Sequence, residues 1–308
     1  MLRAFFVHLS ENRSLRNFAE RSALGRRVSG RFVAGTEIAD AVRVTQAVNR
    51  AAMSVTIDNL GENVTNPDEA RHSAQLYYQI LEAITANHLN ANISLKLTHM
   101  GLDVDERLAR ELVGGLVAKA SSTIPPGFVR VDMEGSPYTQ RTLDFVHELH
   151  RMPGNENSVG TVIQAYLKRS ESDVEKLLAE GIRIRLCKGA YKEPATIAFE
   201  CKADVDANYV KLMKILMKSG IYHGLATHDY AIIRQAKEFA TRENIARDAF
   251  EFQMLYGIRR DLQRRLVGEG WRMRIYVPFG TEWYPYFMRR LGERPANVFF
   301  IARHMLRS

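Results

Sequence analysis

The chain has 308 residues, 46% of them hydrophobic and 25% charged, with a formal net charge of +8. That is apolar material enough for a large core, and no apolar run approaches the roughly 18 residues of a membrane span. Two cysteines, Cys187 and Cys201, offer neither a disulfide framework nor metal-ligand spacing, which suits a reducing, cytoplasmic compartment.

Residues 1–31 hold seven arginines and only two acids, Glu11 and Glu20. Mitochondrial transit segments share this composition. The spacing of Leu2, Phe5, Phe6 and Leu9, then Leu15, Phe18 and Ala19, suits an amphipathic helical arm, and we expect an arm over 1–53. Thr36 is placed to cap a helix bearing Ile38, Ala41, Val42 and Val48. From residue 54 to the end, short β-rich phrases alternate with helical stretches. The phrases are SVTIDNLG (54–61), NISLKLT (92–98), FVRVDME (128–134), TVIQAY (161–166), IRIRLCKG (182–189), GLATHD (224–229), FEFQMLYG (250–257) and RMRIYVPFG (272–280).

Between them the pattern predicts helices over 66–87, with Pro67 in the first turn, and over 103–121. A capping box at Ser172–Glu175 predicts the opening of another, and two helices are expected within 193–219. Further helices are expected over 229–244 and 259–269. Gly181, Gly220 and Gly270 stand where helices end before strands. Eight such units predict an α/β (β/α)8 barrel, whose active site lies at the C-terminal ends of the strands. Most phrases end in polar groups there: Asp58, Lys96, Asp132 with Glu134, Gln164, Lys188, His228 with Asp229, Gln253 and Tyr276.

Several phrases carry chemistry. An inward Lys96 needs a carboxylate partner or a depressed pKa, and Asp132 on the next strand can pair with it. The alternative is a lysine that snorkels outward. Asp132 and Glu134 alternate with Met133, so they share a face. Arg183, Arg185 and Cys187 also share one face. Lys188 is placed to bind phosphate or to act as a Schiff-base nucleophile, the route of a barrel aldolase, and Gly189 allows close approach of a ligand. Residues 282–294 can form a helix on which Arg289 and Arg290 point about 100° apart. Two guanidiniums can grip one carboxylate, though a solvated arginine pair on a surface helix has the same sequence. His99, His223 and His228 lack metal-ligand spacing. No dinucleotide-binding glycine fingerprint and no nucleic-acid motif is present.

The phrases SLKLTHMGLD, VRVDME, TVIQAYLKR, RLCKGAYKEP, LATHD, FEFQMLYG and RIYVPFGTEWYPYFMRRLGERPAN occur together and in order. In this the chain resembles the FAD-dependent proline dehydrogenases, particularly their short, single-function bacterial members. The resemblance implies a distorted barrel over 54–308 with the last helix across its mouth. It implies that Arg289 and Arg290 hold the carboxylate of L-proline. Lys96 and Asp132 would form an ion pair at the substrate site, with Tyr276, Tyr286 and Leu255 lining it. Gln164, Arg185, Lys188, Gly189, Ala190, Tyr191, Thr227, His228, Gln253 and Glu293 match flavin-site positions. The implied acceptor of the flavin's electrons is a membrane quinone. The positive charge and the arm suit loose contact with the inner face of the cell membrane.

Overall fold

The structure, a computed structural model, describes residues 30–286 and 288. Eight strands pair in sequence order into a closed barrel: β1 (Ser54–Asn59), β2 (Ala91–Leu95), β3 (Val129–Val131), β4 (Val159–Gln164), β5 (Arg183–Cys187), β6 (His223–Ala226), β7 (Phe250–Leu255) and β8 (Arg272–Phe279). All pairings are parallel, and β8 returns to β1 with Ser54 opposite Arg274 and Asn59 opposite Phe279. Val55, Ile57, Ile93, Leu95, Val129, Val131, Ile184 and Leu186 are all essentially inaccessible. The runs are apolar because parallel strands are covered on both faces.

Helix α1 (Ile38–Arg50) precedes β1. The barrel helices are α2 (Pro67–Ala86), α3 (Glu106–Ser121), α4 (Ser136–Arg151), α5 (Ser170–Ala179), α6 (Lys202–Lys218), α7 (Tyr230–Arg242) and α8 (Arg260–Gly268). Local chemistry sets their starts: Asn66 caps α2 by accepting from the Glu69 N–H at 3.0 Å, and Asp105 and Asp229 cap α3 and α7. Gly181, Gly220 and Gly270 take the predicted left-handed conformation, with φ of 77°, 75° and 83°.

The structure corrects four details. Glu37 rather than Thr36 caps α1, in a reciprocal box with Asp40. Ser172 lies inside α5, which starts at Ser170. Residues 193–219 hold one α-helix; the other half is a turn pinned by a bridge between Leu167 and Ala198. Strands β2 and β3 stop at Leu95 and Val131, so Lys96, Asp132 and Glu134 stand beyond the sheet, where strand alternation no longer governs their direction.

Helix α1 packs on both β1 and β8, the slot that a helix following β8 would fill in a regular barrel. The chain after β8 goes elsewhere. Trp283, Tyr284 and Tyr286 pack with Phe32, Val33, Leu60 and Ile258, and Leu255 lies against them. Leu60 and Ile258 follow the C-terminal ends of β1 and β7, so this helix begins over the barrel mouth.

Candidate active site

The lumen near the mouth is a bonded set of charged and polar groups. Asp132 is its centre. Its Oδ1 accepts from Ser94 Oγ at 2.6 Å and from Arg185 Nη1 at 2.7 Å; its Oδ2 accepts from Tyr276 OH at 2.9 Å. Arg185, on β5 and 6% exposed, is tied on a second side, where its Nε donates to Gln253 Oε1 at 2.6 Å. Its guanidinium lies 5.1 Å from the centroid of the Tyr276 ring. Among the described residues its Nη2 has only a long 3.4 Å contact with Thr56 Oγ1, which leaves it donor capacity.

The Asp132 partner is therefore Arg185, not Lys96. Lys96 stands half-buried beside the set, and no carboxylate lies within ion-pair distance of it among the described residues. Burial opposes its charge, but Asp58, Asp132, Glu62 and Glu134 together outweigh that cost and hold its pKa above the ordinary lysine value. A Schiff-base lysine needs the opposite shift. Lys188 is clamped between Asp206 at 2.5 Å and Asp229 at 2.9 Å, which leaves its amine poorly placed to attack a carbonyl.

Asp58, at the end of β1, is the deepest carboxylate of the mouth at 1% exposed. Burial pushes its pKa up, against the pull of Lys96. Tyr77 of α2 donates to the Ser94 carbonyl at 2.8 Å and reaches Asp58 Oδ1 at 3.4 Å. Glu134 turns to the loop after β2, accepting from Thr98 N at 3.2 Å and Thr98 Oγ1 at 2.7 Å.

The predicted cofactor residues form an arc across β4 to β7. Gln164 donates to the Glu134 carbonyl at 2.9 Å. His228 accepts the Leu255 N–H at 3.0 Å on Nε2, so its proton is on Nδ1. The Thr227 N–H donates to the Gln253 carbonyl at 3.2 Å. Gly189, at φ 111°, lies on the Tyr166 ring, where a Cβ would fall 2.2 Å from a ring carbon. Beyond it Ala190 and Tyr191 are exposed. Tyr286 is buried among the aromatic cluster at the mouth, and Leu255 lies at its edge. Arg289, Arg290 and Glu293 lie outside the described residues.

Cys187 behaves as a small apolar group: burial pushes its thiol up to about 12. Sequence reasoning missed Ser94, Thr56 and Tyr77 as members of the site. Ser94 and Thr56 are two residues before Lys96 and Asp58, an inward parity that carries a signal; Tyr77 looks like any helix-face tyrosine.

A closed parallel barrel with its ionisable groups bonded together at the strand C-termini is an enzyme of the (β/α)8 class, with its chemistry in the mouth. The sequence places it more narrowly. The family description "Proline dehydrogenase" matches residues 41–303. The chain is 41% identical to Proline dehydrogenase 1 of Bacillus subtilis over 308 residues, covering all of both chains. It is 42% identical to the proline dehydrogenase of Deinococcus radiodurans over 280 residues, 90% of this chain and 89% of that one. Among solved structures, proline utilization A of Bdellovibrio bacteriovorus, inactivated by N-propargylglycine, superposes with a TM-score of 0.80 at 26% identity. That match covers 87% of this chain and 32% of the longer protein. The chain belongs to the proline dehydrogenase family and is an oxidoreductase.

Proposed function

We propose that the chain oxidises L-proline to Δ1-pyrroline-5-carboxylate with FAD held at the barrel mouth, as the first step of proline catabolism. The observation that carries the reading is Arg185: a cation fixed in the lumen by Asp132 and Gln253, with Nη2 held among the described residues only by a long contact to Thr56. Such a group suits the edge of a cofactor that gains negative charge. When bound, the flavin supplies the redox chemistry by accepting the hydride of proline C5 at N5.

The protein's own residues bind and orient. Arg185 stabilises the charge that develops on the cofactor. Gln164, Lys188, Gly189, Ala190, Tyr191, Thr227, His228, Gln253 and Glu293 hold the flavin. Arg289 and Arg290 anchor the substrate carboxylate, and Lys96 adds a nearby positive charge. Asp132 keeps Arg185 in place, while Tyr276, Tyr286 and Leu255 enclose the ring. Positioning of the carbon to be oxidised supplies much of the rate. The proline amine must be deprotonated for hydride to leave, so activity rises above neutral pH. Electrons leave to a membrane quinone, and the excess positive charge favours loose contact with an anionic bilayer from the cytoplasmic side. Among the described residues no helix is long and apolar enough to cross a membrane.

The test is a spectrum of the purified protein. Flavin absorbance at about 450 nm that bleaches on adding L-proline is expected. Folded, colourless protein that takes up no FAD in titration overturns the proposal.

A further inference from the structure

The lumen holds a buried carboxylate that this chemistry leaves unused. Glu251, on β7, is 3% exposed. Its Oε1 accepts from Arg274 Nε at 2.6 Å and from Gln253 Nε2 at 2.7 Å, and its Oε2 accepts from Tyr222 OH at 2.9 Å. Gln253 turns its other end, Oε1, to Arg185 Nε at 2.6 Å. A continuous chain thus runs along the lumen from Arg274 through Glu251, Gln253 and Arg185 to Asp132.

The two ends of an amide are nearly alike in shape, so its neighbours decide which way it points. Here both neighbours are single-purpose. An ionised carboxylate only accepts and a guanidinium only donates. The NH2 of Gln253 must therefore face Glu251, and its carbonyl must face Arg185. Gly224, on the adjacent strand, makes room: a Cβ there would stand 2.2 Å from Gln253 Nε2. No other residue type fits beside the amide in this position.

We infer that Glu251 is a positioning residue for Arg185, acting through the Gln253 amide that it orients. With the carboxylate in place, Gln253 anchors Arg185 Nε, and the Nη atoms are left to Asp132, Ser94 and Thr56. Without that charge the amide can turn over. Its NH2 then meets the Arg185 N–H, two donors with no acceptor, and the guanidinium loses its hold on that side. The inference rests on the flavin reading for the task Arg185 performs.

The test uses the FAD-loaded enzyme with two variants, Glu251→Gln and Gln253→Met. The second changes no charge and keeps the Glu251–Arg274 pair, so it decides the matter if the first fails to fold. Its FAD dissociation constant, expected to match wild type, separates loss of the Arg185 anchor from loss of a flavin contact, and a weakened FAD affinity overturns the inference. Both are expected to lower kcat by about 10- to 100-fold, the effect of one lost hydrogen bond to a charged group, with KM for proline nearly unchanged. The flavin midpoint potential is expected to fall in both, in the direction seen for Arg185→Met, because a displaced cation stabilises reduced flavin less. Loss of a negative charge alone would raise the midpoint in Glu251→Gln and leave Gln253→Met unmoved. That pattern, any other split between the variants, or wild-type values in both overturns the inference. A colourless wild-type protein instead sinks the flavin reading, and this inference with it.

Discussion

The two ends of the barrel lumen are built from the same residue types and do different work. At the mouth, Asp132, Arg185, Ser94, Gln253 and Tyr276 bond to one another's side chains. One layer below, Arg130 donates to the carbonyls of Thr161 at 2.8 Å and Arg183 at 2.6 Å. The guanidiniums of Arg130 and Arg183 both lie over the Phe128 ring, 4.6 and 4.5 Å from its centroid. Arg183 also donates to the Tyr222 carbonyl at 3.3 Å. Side-chain partners can exchange when a ligand arrives; backbone carbonyls cannot move without unravelling strands. The mouth is therefore suited to binding and the floor to holding the cylinder together, as the fold's division of labour leads one to expect.

Two substitutions press on this division hardest. Phe128→Ala removes a buried ring that two guanidiniums contact and is expected to cost about 3–5 kcal/mol of stability while leaving KM for proline alone. Equilibrium unfolding checks the first, and steady-state kinetics on the folded fraction checks the second; a changed KM would mean the floor reaches the substrate. Arg185→Met is the converse. It is expected to lower kcat by about 10²- to 10³-fold, near 2.7–4 kcal/mol, with flavin retained. If kcat is unaffected and only stability falls, the mouth arginine belongs with those of the floor.

Much of this architecture was legible in the chain. All eight β-rich phrases became strands, because buried parallel strands must be continuous apolar runs. That Arg183 and Arg185 share one face was also visible, though not that the face is the lumen. Strand ends extend less far than they read: Lys96, Asp132 and Glu134 look like continuations of β2 and β3, yet they lie beyond the sheet, where Asp132 and Glu134 meet partners far away in sequence. The choice of Arg185 over Lys96 as partner of Asp132 depends on distances that parity cannot supply. Helix α1 was legible as a helix, but its place in the outer ring beside β8 follows from closure of the barrel. The lock on Gln253 needs Glu251, Gly224 and Arg185 together, from three strands whose register only the closed barrel defines.

Acid probes both ends at once. His99 follows β2 at the mouth, and burial with help from Lys96 pushes its pKa down to about 4. His223 begins β6 at the floor, where burial and the nearby Arg130 and Arg183 push it down to about 3, and its Nδ1 accepts the Ile184 N–H at 3.0 Å. Both are neutral when folded and charge near pH 6.5 when unfolded. The unfolded chain binds more protons below that point, so stability is lost as pH falls from 6.5 toward the folded values. At pH 5 each imidazole is expected to cost about 2 kcal/mol. Asp58 and Glu134, raised by burial, work in the opposite sense. The measurement is therefore a difference: unfolding free energy at pH 7 and pH 5 in wild type and His99→Leu. The loss on acidification is expected to shrink in the variant by the share of one imidazole. An equal loss in both would show that His99 is protonated within the folded mouth.

The smallest expected effect comes from Ser94, and it tests the mouth side of the comparison most finely. Its Oγ donates to Asp132 Oδ1 at 2.6 Å and accepts from Arg185 Nη1 at 3.1 Å, so one hydroxyl closes the angle between the two ions. Asp132 and Arg185 still meet directly at 2.7 Å without it. Ser94→Ala therefore removes a brace and keeps the ion pair. A neutral hydroxyl of this kind contributes about 0.5–1.5 kcal/mol, and the expected fall in kcat/KM is about 2- to 10-fold. Ser94 is fully buried, so the lost bond has no water to replace it. If the mouth tolerates exchange of partners, Tyr276 OH and the pair itself absorb the loss and stability barely changes. A loss of several kcal/mol in unfolding free energy, with kinetics intact in the folded fraction, would show that the mouth is as rigidly built as the floor.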